Sequence, residues 1–280
     1  MLRTKSAVRA LTLADHDQAL EVCARDPRTN VFVAARILDG ALATSPGALL
    51  GYDDGSGLQS ICWASANLVP VECDAAALAA FAGKLRRWRH HWSSLFGPAE
   101  LVLPLWEALS PGWGEPRTVR ARQPVLAMAG PLAPEAPRDP EVRLARFDEV
   151  DLVTPAAAAM FTEEIGYPPY RGSGHLYQQG IASLIRAGHT FVRIVDGEVM
   201  FKADVGSVAL GVAQVQGVWV APRWRGQGLA GPAMAEVVTQ IQASIAPVVT
   251  LYVNDFNKPA RATYARVGFT QIGSFATILM

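Results

Sequence analysis

The residues best suited to chemistry stand together at Arg223-Trp224-Arg225-Gly226-Gln227-Gly228-Leu229-Ala230. They follow the apolar run Val218-Trp219-Val220 and open a stretch in which Met234, Val237, Val238, Ile241 and Ile245 recur at helical spacing. A strand that turns into a helix through glycines can cradle an anion. Glycine lets the backbone approach a phosphate, the first N–H groups of the helix point at it, and the helix dipole favours its charge. Pro232 is tolerable because it falls in that first turn. The pattern lacks the Gly-Lys-Ser/Thr of a nucleotide P-loop and the spacing of the Rossmann fingerprint, so neither ATP nor NAD is indicated.

A second constellation lies further along. Val248 to Val253 reads as a buried strand, after which Asn257 suits a helix N-cap, Pro259 the first turn and Gly268 a left-handed C-terminal cap. Tyr264 stands about two turns into that short helix, within reach of a leaving group bound at the preceding strand. Arg223-x-x-Gly226-x-Gly228 and Asn257-x-x-Ala260-x-x-x-Tyr264-x-x-x-Gly268-Phe269, in this order, resemble the two signatures of the GNAT superfamily of acetyl-CoA-dependent N-acetyltransferases. The resemblance covers the region from about Val142 to Met280.

The resemblance implies transfer of an acetyl group from acetyl-CoA to a primary amine, on a small molecule or a peptide, by direct attack in a ternary complex without a metal. Val218, Trp219 and Val220 would meet the pantetheine arm, and Arg225, Gly226, Gln227, Gly228, Leu229 and Ala230 the pyrophosphate. Asn257 and Tyr264 would sit near the thioester, with the Val220 N–H polarising its carbonyl and Tyr264 serving the departing thiolate. Met160 to Pro169 corresponds to the segment that arches over the acceptor in this family. An alkylamine is mostly ammonium at neutral pH and must lose a proton. Glu163 and Glu164 in that segment are therefore the candidate proton acceptors, with a solvated surface pair as the alternative. Gln214 stands where several members carry a catalytic glutamate, and an amide cannot act as a base. Two further readings stay open: an acyl-CoA-binding regulatory module without turnover, and a transferase using a different acyl donor.

These residues need a sheet and helices to position them, and the chain has material for two such assemblies. Val8-Arg9-Ala10-Leu11 before Asp15 and Val142-Arg143-Leu144-Ala145 before Asp148 begin the two halves alike. Prolines from Pro131 to Pro140 mark a linker between them. The whole chain resembles two-domain GNAT members. The expected fold is α/β (α+β), with two tandem GNAT-like domains, each a mixed, mostly antiparallel central sheet flanked by helices. Residues 1–130 form a degenerate first domain, 131–140 the linker and 141–280 the catalytic domain.

In the first half strands are expected at 48–52, 60–68, 100–103 and 118–129, with a helix at 74–89 capped by Asp74. In the second, helices are expected at 154–162 and 176–187, a hairpin turn at Asp196-Gly197, and one long strand over 209–220. Where the first half's cradle should be stands Val69-Pro70-Val71-Glu72-Cys73-Asp74, without glycine or arginine and with two acids at a helix start. One CoA per chain is therefore expected. The first half becomes a scaffold, a cleft wall or an interface, which leaves room for a homodimer.

Composition narrows the classes further. Of 280 residues, 50% are hydrophobic and 18% charged, enough apolar material for a sizeable core. The 25 Lys and Arg balance 25 Asp and Glu, so nothing rewards binding to nucleic acid. Three cysteines without CxxC spacing favour neither a zinc site nor a disulfide framework, and Cys62 and Cys73 read as buried small apolar residues. Arg3, Lys5 and Arg9 are not followed by a signal-peptide core, and no apolar stretch is long enough to span a bilayer, so a cytoplasmic location is expected. His90-His91, beside Arg86, Arg87 and Arg89, reads as an exposed basic face.

Overall fold

The computed structural model describes residues 7–88, 92–132 and 136–280. Arg3, Lys5, Arg89, His90, His91 and Pro134 lie outside the described residues. The chain divides into two units. The first joins the residues through Leu126 with Tyr252–Phe256 and Gln271–Met280, and the second comprises Ala127–Leu251 and Asn257–Thr270.

The first unit runs β1 (Val8–Ala10), α1 (His16–Cys23), α2 (Pro27–Leu38), α3 (Ala41–Thr44), β2 (Leu49–Asp53), β3 (Leu58–Ala64), β4 (Asn67–Val71), α4 (Ala75–Leu85), β5 (Ser94–Pro98), α5 (Ala99–Leu109) and β6 (Thr118–Met128). The second runs β7 (Arg143–Leu144), α6 (Val150–Ile165), α7 (His175–Arg186), β8 (Thr190–Val195), β9 (Glu198–Ala209), β10 (Val212–Val220), α8 (Ala230–Ser244), β11 (Val248–Tyr252) and α9 (Lys258–Val267). The last strand is β12 (Thr270–Leu279).

Both units order their first five strands sequentially, β1 to β5 and β7 to β11. In each, the first four pair antiparallel and the fifth joins parallel to the fourth. A helix connects the fourth and fifth strands in both units, as a parallel crossover requires. The sheets are thus mixed and mostly antiparallel, with helices against them, as the sequence predicts.

The similar beginnings of the halves have a physical content. Arg9 holds the Asp15 carboxylate through both terminal nitrogens, and Thr12 N–H donates to the same carboxylate at 2.8 Å. Arg143 holds Glu149 in the same way, and Arg146 N–H donates to it at 2.7 Å. The counterpart of Asp15 is therefore Glu149 rather than Asp148, which lies exposed one residue earlier. In each unit this fork ties the first strand to the start of the first helical segment.

Four sequence expectations change. The strand expected at 60–68 is two antiparallel strands, β3 and β4, turning at Ser65-Ala66. The strand expected at 100–103 is the start of α5, whose Val102, Leu105 and Leu109 bury one face at helical spacing, while the strand lies earlier as β5. The strand expected over 209–220 begins at Val212, because Leu210 and Gly211 form a second hairpin turn at positive φ. Lastly, the final ten residues do not complete the second unit. β12 inserts between β5 and β6 of the first, pairing antiparallel with β5 from Phe275↔Pro98 to Leu279↔Ser94.

The reason for that placement is burial. Ala276 and Ile278 of β12 join Phe81, Leu85, Leu95 and Leu105 in the first unit's core, and Thr277 donates to Gln123 of β6 at 2.6 Å. Ile278→Ala should therefore lower stability by about 2–5 kcal/mol through cavity formation. Denaturant unfolding followed by fluorescence of the buried Trp92 and Trp113 reads this directly; an unchanged midpoint would show that β12 is not part of this core.

The two forks set an acid limit on stability. Arg9, then the Thr12 donors, hold the Asp15 carboxyl well below its ordinary value, and Arg143 does the same to Glu149. A carboxylate lowered on folding contributes stability that is present above its unfolded value, about 4, and is lost as pH falls through the folded value. An Asp15→Asn, Glu149→Gln double variant should lose less stability than the wild type between pH 5 and pH 2, measured by thermal unfolding.

Candidate active site

The site begins where two strands part. β10 pairs with β11 through Val212↔Val248, Ala213↔Val249 and Gln214↔Thr250, yet β10 continues to Val220. On its other edge β10 stays paired with β9 as far as Val220↔Phe201. Ala221 N–H donates to the Met200 carbonyl, so alternation along an antiparallel ladder turns the N–H and C=O of Val220 away from β9, toward the side β11 has left. The Val220 carbonyl there accepts from Arg225 Nε at 2.9 Å. An extended backbone edge beside a parted strand can pair with another extended chain.

Beyond β10 the connection to α8 takes the nine residues Ala221–Leu229. Gly226 and Gly228 sit at φ +76° and +77°, flanking Gln227. Alternating left-handed positions aim successive N–H groups into one concavity, and the first amides of α8 have no intrahelical acceptor. A Cβ at either glycine would meet nothing within 4 Å. The requirement for glycine is thus the backbone conformation, and the open space above it is where an anion would lie. Met234, Val237, Val238 and Ile241 bury α8 against the sheet and hold this turn in place.

The first unit offers a contrast at the same topological point. β4 and β5 also pair only at Asn67↔Ser94 and Leu68↔Leu95, but the link from β4 to α4 is the three residues Glu72–Asp74. Asp74 accepts from Ala77 N–H at 2.8 Å, taking one of the donors an anion would use, and Glu72 accepts from Asn30 at 2.9 Å. Asp26, Glu72, Asp74 and Glu100 line the cleft beside them, and Pro70 removes a backbone donor from β4.

Of the other residues named from sequence, one is tied to β10 and the glycine turn. Glu163, in the last turn of α6, accepts from Arg225 Nη2 at 2.6 Å and from Trp219 Nε1 at 3.3 Å. Asn257 caps α9, accepting from Ala260 N–H, and Gly268 ends the helix at φ +110°. Tyr264 is 7% exposed. Burial first, then the charge of Glu164, pushes its phenol well above the ordinary value, so it stays protonated throughout the neutral range. Glu164 itself is exposed. Gln214 is buried, and its Nε2 has no partner among the described residues.

Sequence reasoning missed two features. Lys202 and Asp204 form a buried ion pair beneath the gap, and Gly217 of β10 sits against it. The signal was present as two charges in the apolar run Met200-Phe201-Lys202-Ala203-Asp204-Val205.

With this geometry in hand, comparison with known families decides the class. Residues 159–269 match the Acetyltransferase (GNAT) family, and residues 47–153 match a domain family of unknown function, DUF4081. The second half carries a GNAT acetyltransferase domain. No curated protein matches the chain. Among solved structures, a GCN5-related N-acetyltransferase from Sphaerobacter thermophilus superposes with TM-score 0.64 at 15% identity, covering 97% of this chain and 94% of that one. An acetyltransferase of the GNAT family from Colwellia psychrerythraea gives 0.58 at 14%, covering 98% and 99%. A tandem GNAT protein from the clavulanic acid biosynthesis pathway gives 0.56 at 14%, covering 96% and 97%. The fold is that of tandem GNAT proteins, and the family domain makes the chain an acyltransferase of the acyl-CoA-using class. No helix among the described residues is long and apolar enough to cross a membrane.

The Glu163–Arg225 pair is 44% and 46% exposed, and pairs of that exposure contribute about 0–1 kcal/mol. An anion arriving at Arg225 must compete with it. Glu163→Gln should tighten acetyl-CoA binding by up to about fivefold in calorimetry. Weaker binding would instead show that Glu163 holds Arg225 ready for the anion.

Proposed function

We propose that the chain transfers an acetyl group from acetyl-CoA to a primary amine at the parting of β10 and β11. The observation that carries this reading is the Val220 backbone edge turned into the gap, with the glycine turn beyond the end of the same strand. Val218, Trp219 and Val220 flank the pantetheine arm. Arg225, Gly226, Gln227, Gly228, Leu229 and Ala230 surround the pyrophosphate, and Asn257 lies by the thioester. The Val220 N–H donates to the thioester carbonyl, where negative charge develops as the amine attacks.

Tyr264 acts on the departing sulfur. A thiol titrates near ~8.5 and this phenol well above its own ordinary ~10, so full proton transfer from phenol to thiolate is uphill. Its contribution is therefore a hydrogen bond to the sulfur as charge builds. For the acceptor's proton, Glu164 is the better placed of the two candidates: its charge bears on Tyr264, whereas Glu163 is engaged by Arg225 and Trp219. The acceptor class stays at primary amines, and the first unit, lacking a glycine turn, takes no second CoA.

The test is release of free thiol from acetyl-CoA in the presence of a mixed panel of small amines, amino acids and peptides, the full chain saturating at one equivalent of CoA. Tyr264→Phe should lower kcat about ten- to a hundredfold with little change in KM for acetyl-CoA, the mark of an interaction made chiefly in the transition state. No thiol release by a wild type that binds acetyl-CoA would favour the regulatory module without turnover.

A further inference from the structure

We propose that the buried Lys202–Asp204 pair is a positioning device that pins the bulge in β10 and thereby aims the Val220 N–H at the thioester carbonyl; this rests on the acyl-transfer reading above. Lys202 is 0% exposed and Asp204 5%. Lys202 Nζ donates to Asp204 Oδ2 at 2.5 Å and to the Gly217 carbonyl at 3.2 Å. The ammonium of β9 therefore reaches across to the backbone of β10 at one point.

That point is the second of two places where the ladder changes register, the first lying between Gln214 and Val215. Gln216 pairs with Asp204 and Trp219 with Lys202, so three steps along β10 answer two along β9. The extra residue is a β-bulge, and each residue beyond it faces the opposite side from the one it would face in a regular strand. Without it, Val220 would turn its N–H toward β9, and the gap would be presented with its neighbours instead. Gly217 permits the bulge by taking φ +59°. A Cβ there would stand 2.9 Å from Asp204 Oδ2, 3.1 Å from Met160 Cε and 3.2 Å from Lys202 Nζ, so the strand backbone rests directly on the ion pair.

The pair is poorly built for stability. Desolvating two charges costs more than their attraction commonly returns, and replacement of such pairs by apolar residues is often neutral or stabilising. Asp204 Oδ1 has no hydrogen-bond partner among the described residues, which leaves part of that cost uncompensated. What the pair does provide is a fixed carbonyl at Gly217, three residues before the amide that must meet the substrate.

The test needs no amine acceptor. Acetyl-CoA labelled with carbon-13 at the thioester carbonyl is bound to the protein, and the carbonyl stretch is read by infrared difference spectroscopy. A well-aimed N–H polarises the carbonyl and lowers its frequency. The variants are Lys202→Met, Asp204→Asn and the double Lys202→Met, Asp204→Leu, the last leaving no orphaned charge and remaining folded if a single variant does not. The expected result is a downshift in the wild type that is lost in the double variant, while calorimetric affinity for acetyl-CoA stays within about threefold. A downshift retained in the folded double variant overturns the pin and leaves acyl transfer standing. A wild type that does not bind acetyl-CoA overturns both.

Discussion

The second unit is organised around one unsatisfied requirement: backbone N–H and C=O groups inside a protein must be paired. β10 meets it on its β9 edge along most of its length but on its β11 edge only as far as Gln214. The remainder of that edge is offered to something other than β11, and the neighbouring features follow from the divergence. The glycine turn lies beyond the end of the same strand, α8 starts just after it, and α9, which carries Tyr264, follows β11. Arg225 bonding to the Val220 carbonyl partly satisfies the open edge from within the chain.

The first unit shows what the same topology becomes when that edge is not put to use. Its opening fork, Arg9 to Asp15, repeats that of Arg143 to Glu149, and its strand order is the same. The difference is concentrated between its fourth strand and the following helix, where three residues stand in place of nine and acids stand in place of glycines. Glu72 sits at φ +52°, a strained position for a residue with a Cβ, and its carboxylate is held by Asn30. The fork and the sheet are framework, so they persist in both units. The connection is where the two units part.

Local signals in the sequence were enough for α9 and its caps and not for the sheet. Asn257, Pro259 and Gly268 act on the backbone within a few residues of themselves, and the helix they bound is found where they set it. Asp196-Gly197 likewise turns with both residues at positive φ. The Leu210-Gly211 turn went unseen because leucine carries no preference for φ +51°; the surrounding pairing of β9 with β10 imposes it. α5 was misread because a short apolar run suits either element, and Pro104 within it argues against a helix that tertiary packing nonetheless forms. The destination of β12 is a matter of which core its Ala276 and Ile278 enter, a long-range choice that no window of neighbouring residues encodes.

The replacement of a glutamate by Gln214 then gains a physical context. Gln214, Ser207 and Thr250 stand side by side across β9, β10 and β11, all buried, with Gln214 Nε2 and Thr250 Oγ1 lacking partners among the described residues. A carboxylate in that row would be a buried charge, and desolvation would raise its value. An amide avoids that cost but cannot accept the amine's proton. In the proposed reaction, proton removal falls to Glu164, exposed at the end of α6. Tyr264, buried on α9 with its phenol pushed up first by burial and then by the charge of Glu164, stays a hydrogen-bond donor.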